Sequence, residues 1–212
     1  MKAADFIELS KDPNQWRKHS RALRRSALTL WLEFERTLLT EVGLASEKNR
    51  DPDLDEALEL FENTKLLYGL ALETALKGYI IKVDPDSLEI RVTMNGRGEP
   101  LHAELRNVGV PTSQGHNLLA LAEKAGIFGP TFEHVLKFES DRAVMRSICK
   151  DLGEVVLWRG RYPVPLASFT PAKHDPSVPG RALAHYIRDW LDPLLDALLI
   201  HDPGNGTSNA DA

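Results

Sequence analysis

The residues from Leu66 to Ile81, LLYGLALETALKGYII, constrain the fold more than any other part of this sequence. Apolar residues fill nearly every position, and only Glu73, Thr74 and Lys77 interrupt them. A helix that is apolar on most of its faces has to be surrounded by other elements. A membrane span needs about 20 predominantly apolar residues, and the charged residues interrupt this run. The stretch therefore predicts the central helix of a helical bundle.

Glu73 and Lys77 are the two charged residues within this apolar stretch. They are four residues apart, so they lie on one face of the helix and can form an ion pair. Two interpretations follow. The pair either fills a narrow polar stripe on the helix or faces a functional site.

Length, charge and cysteine content set outer limits on the protein. The 212 residues predict one helical domain over residues 1–201, with an insertion at 88–106 and a disordered tail at 202–212. A formal net charge of −5 argues against coating nucleic acid through bulk electrostatics. Cys149 is the only cysteine, which excludes an intrachain disulfide, and we expect it to be a small buried apolar residue. The N-terminus lacks the apolar core of a signal peptide, so we expect a cytoplasmic location.

Two long helices are predicted before residue 84. The first begins at Asp12-Pro13 and runs to about Glu41, where Gly43 is placed to end it. The second begins with a capping box made by Asp53 and Glu56 and runs to about Lys82. Their short polar connection predicts antiparallel packing.

The first long helix carries a basic run, with Arg17, Arg21, Arg24 and Arg25 close together on it. Such a run is either a solvated charged face or a surface that binds an anionic ligand.

Residues 88–106 predict a β-hairpin. Leu88, Ile90 and Val92 alternate with polar residues, and the same alternation returns from Leu101 to Leu105 after an Asn-Gly turn. Two isolated strands are only marginally stable, so the apolar face of the hairpin must lie on the bundle or on a partner.

The remainder of the chain predicts three further helices. A short helix begins near Leu118 and ends at Gly126, and a longer segment runs from Pro130 to Trp158 with a break at 139–141. A proline-rich loop leads to a last helix, which Pro193 is expected to kink. The fold class is therefore mainly α, a helical bundle with an inserted β-hairpin.

Three segments, taken in order, resemble the HEPN family, the nucleotide-binding domains of higher eukaryotes and prokaryotes. Residues 72–80 resemble its signature of a glutamate followed four residues later by a lysine, and residues 115–119 resemble its His-Asp-Leu opening of a short helix. Residues 161–163, Arg-Tyr-Pro, match the segment that follows a long helix in that family. The resemblance implies an antiparallel four- to five-helix bundle.

The resemblance also implies a function. Members of the family commonly form homodimers, some cleave RNA, and some bind nucleotides. Some act beside a minimal nucleotidyltransferase partner in toxin–antitoxin or phage-defence modules. If the bundle forms as the resemblance implies, five polar residues converge on one ligand-binding site: Glu73, Lys77, His116, Arg161 and Tyr162.

Two interpretations of these five residues stay open. Lysine and arginine beside an aromatic ring could hold a phosphate and stack a base. In the structural alternative, His116 caps the third helix, Arg161 pairs with Glu73, and Tyr162 with Pro163 stops the fourth helix.

Two alternative functions are also predicted. HEPN ribonucleases use an arginine and a histidine separated by four to six residues, and Arg181 and His185 on the last helix depart from that motif with three between them. They are candidate catalytic residues of a metal-independent endoribonuclease. The other alternative is a non-catalytic interaction domain that docks a partner through the hairpin or the last helix. The seven histidines are scattered, so we expect no metal site, and nothing in the sequence calls for a cofactor.

Overall fold

The computed structural model describes residues 1–159 and 187–200. Within them are six α-helices and one β-hairpin, which confirms the mainly helical fold with an inserted hairpin. The helices are α1 (Ala3–Lys11), α2 (Pro13–Glu47), α3 (Asp55–Val83), α4 (Leu118–Lys124), α5 (Glu139–Glu154) and α6 (Asp192–Ile200). The strands are β1 (Leu88–Met94) and β2 (Pro100–Val108), and they lie between α3 and α4.

The long helices α2 and α3 pack antiparallel, as predicted. Near the start of α2, the Ser20 hydroxyl donates a 2.8 Å hydrogen bond to the carbonyl of Ala71, in the second half of α3. Further along α2, the Trp31 ring meets the Phe61 ring edge to face at 6.5 Å, in the first half of α3. Later residues of α2 therefore contact earlier residues of α3, as antiparallel packing requires.

Helix α3 is the central helix of the bundle, as the apolar stretch predicts. Its residues Tyr68, Leu72, Leu76 and Ile80 are completely buried. Gly78 lets α2 approach closely, because a Cβ atom at this position would lie 2.8 Å from Cβ of Trp16. The small residue and the buried side chains explain why neighbouring elements can cover α3 on most sides.

Some predicted helix boundaries are wrong. Helix α2 continues through Gly43 to Glu47, because Ala45 still packs in the buried interior and tertiary contacts offset the low helix propensity of glycine. The predicted capping box at the start of α3 is absent. Leu54 is the capping residue, and the Asp53 carboxylate instead accepts from the Asp55 N–H at 3.2 Å. Helix α1 was not predicted.

The hairpin forms as predicted, and β2 extends two residues further, to Val108. Ile90 pairs with Leu105 and Val92 pairs with Ala103 in an antiparallel register. Strand β2 packs against α1 and contacts α3. The hairpin therefore lies against the helices, but its apolar face is covered only in part, since Met94 and Leu101 near the turn are 56% and 68% exposed.

Helix α5 begins later than the sequence pattern suggests. The expected break at 139–141 is the true start of α5, where the Asp141 carboxylate accepts from the Phe138 N–H at 2.9 Å. Pro193 lies at the second residue of α6, just after a π-helical turn (Ile187–Leu191). The proline therefore sits where the helical geometry changes from π to α. The proline-rich loop and the tail at 202–212 lie outside the described residues.

Among the described residues, none of the helices combines the length and the apolar character that crossing a membrane would require.

Candidate functional site

The candidate site is built around the carboxylate of Glu73, in the second half of α3. This side chain is only 9% exposed, although it carries a charge. A buried carboxylate needs hydrogen-bond donors or a positive charge to compensate for lost water. Among the described residues, Glu73 has two such partners, one on its own helix and one in the loop that precedes α4.

Lys77 is the partner on the same helix. Its ammonium nitrogen lies 2.6 Å from Oε1 of Glu73, and its side chain is 13% exposed. The four-residue spacing places both groups on one face of α3, so the ion pair predicted from the sequence forms. Because both side chains are nearly buried, this pair is less screened by water than a surface pair is.

His116 is the partner from the loop. Its Nδ1 atom lies 3.1 Å from each carboxylate oxygen of Glu73, and its side chain is 48% exposed. The residue follows a 3₁₀ turn (Thr112–Gln114) and directly precedes Asn117, whose side chain caps α4 by accepting from the Ala120 N–H. Asn117 rather than His116 is therefore the helix cap, which rules out the capping role considered for His116. The contact of His116 with Glu73 ties this loop to α3.

The structure thus brings together three of the five residues predicted for the ligand site. Glu73, Lys77 and His116 form one hydrogen-bonded cluster, which we call the Glu73 cluster. Arg161 and Tyr162 lie outside the described residues. The same is true of Arg181 and His185, the candidate catalytic residues.

Comparison of the chain with protein-family models, with curated proteins and with solved structures finds no match.

The Glu73 cluster has a defined chemistry. A carboxylate beside Nδ1 holds the proton on that atom, so Nε2 is the ring nitrogen left for a ligand. Lys77 has three N–H donors, and its contact with Glu73 occupies one of them. The cluster can therefore offer an imidazole and an ammonium group to an anion. Among the described residues, no three His, Cys, Asp or Glu side chains are grouped closely enough to hold a metal ion.

A second polar cluster was missed by the sequence reasoning. Arg24 on α2 binds two carboxylates of α6, Asp192 at 2.8 Å and Asp196 at 2.6 Å. The hydroxyl of Tyr68 on α3 donates to the same Asp192 at 3.3 Å. These four residues, which we call the Arg24 cluster, join α2, α3 and α6.

Two groups of the Arg24 cluster, Tyr68 and Arg24, have raised pKa values. Burial raises the pKa of the Tyr68 hydroxyl, and the negative charge of Asp192 raises it further. Burial acts to lower the pKa of Arg24, but its hydrogen bonds and charge interactions with Asp196 and Asp192 raise it overall. The cluster therefore consists of a neutral tyrosine, a charged arginine and the two aspartates it binds.

The Arg24 cluster also bears on the basic run of α2. Arg24 is bound to α6, and Arg21 donates to the carbonyl of Leu199 at 3.2 Å. Two of the four arginines of that run thus anchor the last helix. The sequence does show opposite charges on α2 and α6, which could have indicated ion pairs between the two helices. These residues are too far apart along the chain for any local pattern to show which of them pair.

Proposed function

We propose that this chain is a HEPN-like module that binds RNA or a nucleotide, and that it holds a phosphate group at the surface formed by His116 and Lys77. Glu73 acts in this proposal as the positioning residue, because it orients the imidazole and keeps the ammonium group in place. The ligand itself contacts His116 and Lys77.

The observation that carries the proposal is the meeting of two separate segments at one carboxylate. Glu73 and Lys77 come from one HEPN-like segment and His116 comes from another, 43 residues away from Glu73. Nearly buried charged residues are costly unless they are paired, and a structural pair would be complete with Lys77 alone. The half-exposed histidine adds a group that reaches solvent.

The exposures of the three side chains favour an anion that approaches from the histidine side. His116 is 48% exposed, whereas Glu73 is 9% exposed, so a ligand meets the imidazole before the carboxylate. The three groups carry no net charge when His116 is neutral and one positive charge when it is protonated.

The test is a binding titration of the full chain with a short single-stranded RNA and with adenosine 5′-monophosphate. We expect His116→Ala to weaken binding by about tenfold, the loss of one charge-assisted hydrogen bond. His102→Ala is the matched control, because His102 is an exposed histidine on the hairpin. Lys77→Gln should weaken binding in the same direction, with its melting temperature measured to separate binding from folding. Unchanged affinity in both site variants would contradict the proposal.

An interaction domain is the second candidate function, and the hairpin rather than the last helix favours it. In α6, the residues Leu194, Leu195, Leu198 and Leu199 are buried in the core, so little of the described helix is left to dock a partner. The two-stranded sheet, by contrast, has an outer strand, β1. Deleting residues 88–106 would remove that strand and tests this function by loss of partner binding.

A further inference from the structure

Strand β1 has an edge that no other described strand covers. The sheet has two strands, and β2 is the one that packs against α1. In the part of the chain that the structure describes, the backbone of residues 89–93 hydrogen bonds only with β2. Alternate peptide groups of β1 therefore point away from the sheet with no backbone partner there, and such an edge can accept another strand.

The side chains of β1 limit which strand the edge can accept. The side chains of Glu89 and Arg91 lie on the exposed face of β1. Those of Leu88, Ile90 and Val92 lie on its half-buried face. Charged residues on an edge strand usually discourage pairing. In β1 the two charged residues have opposite signs, so one register of an added strand places each of them opposite a residue of the other sign.

We propose that β1 pairs antiparallel with β1 of a second copy of this chain, about a two-fold axis at Ile90. In that register Glu89 of each copy faces Arg91 of the other, and Leu88 of each copy faces Val92 of the other. Two hairpins thereby form one four-stranded sheet. This inference does not depend on the proposed function.

Charge complementarity selects this register over its neighbours. Moving the strands by two residues in one direction places Arg91 opposite Arg91 of the second copy, and moving them in the other direction places Glu89 opposite Glu89. Like charges directly opposite one another destabilise a strand pair. A shift by one residue would instead place apolar side chains opposite charged ones on the wrong face.

Arg91 is also available for the pairing. It makes no hydrogen bond or ion pair within the described residues, whereas Glu89 accepts from the Asn107 side chain at 2.6 Å and keeps a second oxygen. Strand β2 contains a similar Glu104-Leu105-Arg106 sequence, but Arg106 already binds Glu104 at 2.7 Å. Glu104 lies opposite Arg91 in the hairpin but is bound to Arg106, so the arginine without an ion pair among the described residues is the one on β1, which favours β1 as the self-pairing strand.

The test measures self-association of the full chain by analytical ultracentrifugation over a range of concentrations. We expect the wild type to dimerise, and Arg91→Glu and Glu89→Arg each to weaken dimerisation by about tenfold or more, since attractive cross-strand pairs become repulsive. An equimolar mixture of the two variants should form heterodimers, and the double variant should dimerise like the wild type. Arg97→Glu, in the hairpin turn, is the control with the same change in charge.

A cross-linking experiment checks the register independently. A short bismaleimide should cross-link two copies of the Ile90→Cys variant, because residue 90 faces its own counterpart in the dimer. Two copies of the Thr93→Cys variant should be cross-linked much less, because Thr93 faces Ser87 of the second copy. Cys149 is buried and does not compete for the reagent. A wild type that stays monomeric, a dimer that the charge variants leave unchanged, or equal cross-linking at both positions would each overturn the inference.

Discussion

His116 Nδ1 lies 3.1 Å from both carboxylate oxygens of Glu73, although the two residues are 43 positions apart. This contact ties the loop before α4 to the middle of the most buried helix. It places a half-exposed imidazole over a nearly buried ion pair, and the proposed function follows from that arrangement.

The stability of the Glu73 cluster gives the first prediction. Glu73→Gln should lower the free energy of unfolding by about 2 kcal/mol, because Lys77 is then left nearly buried without a carboxylate. Glu59→Gln, on the exposed side of α3, is the matched control and should change it by less than about 0.5 kcal/mol. Urea denaturation measures both. Equal effects of the two substitutions would show that the cluster is no more than a surface pair.

The Arg24 cluster gives the second prediction. Asp192→Asn should cost about 1–2 kcal/mol, because Arg24 and Tyr68 both bind this carboxylate, whose side chain is 21% exposed. Asp196→Asn should cost less than about 1 kcal/mol, since that side chain is 57% exposed and its ion pair is screened. Thermal or urea unfolding of the two variants tests the order. A larger loss at Asp196 would contradict it.

Two glycines in long helices should respond to alanine in opposite directions. At Gly69 an added Cβ would lie 2.6 Å from Cγ2 of Val156, so Gly69→Ala should destabilise the protein by about 1–3 kcal/mol. At Gly43 nothing lies within 4 Å, so Gly43→Ala should stabilise it by about 0.5–1 kcal/mol through helix propensity. Melting temperatures that move in the same direction would be inconsistent with this packing.

Cys149 predicts a dependence of stability on alkaline pH. Burial raises the pKa of its thiol from 9.0 to about 12, so the folded state favours the protonated thiol. Its contribution is fully present below pH 9 and is lost as the pH rises from 9 to about 12. The loss should be up to about 1.4 kcal/mol per pH unit in that window. The free energy of unfolding should therefore fall less steeply above pH 9 in Cys149→Ala than in the wild type, and identical slopes would contradict the account.

Periodicity explains what could be predicted from the sequence. Helices α2 and α3 and the hairpin have long, regular patterns of apolar residues, and the Glu73–Lys77 pair follows from the geometry of a single helix. The approach of His116 to Glu73 followed only from a resemblance between motifs, since no local spacing relates the two residues. Helix α1 was missed because its packing against β2 is a tertiary contact.

The remaining differences between the predicted and the observed structure also come from tertiary contacts. Gly43 is a weak helix former, yet the packing of Ala45 keeps α2 helical beyond it. The Arg24–Asp192 pair joins residues 168 positions apart, a distance over which charge patterns along the sequence carry no pairing information. Local patterns thus predicted the described elements other than α1, and long-range contacts determined where those elements end and what holds them together.

Nuclear magnetic resonance of the full chain with ¹⁵N-labelled histidine tests the proposed role of His116 directly. We predict that His116 carries its proton on Nδ1, and that adenosine 5′-monophosphate shifts the His116 Nε2 resonance while that of His102 stays in place. A His116 with its proton on Nε2, or resonances that do not move at saturating nucleotide, would contradict it.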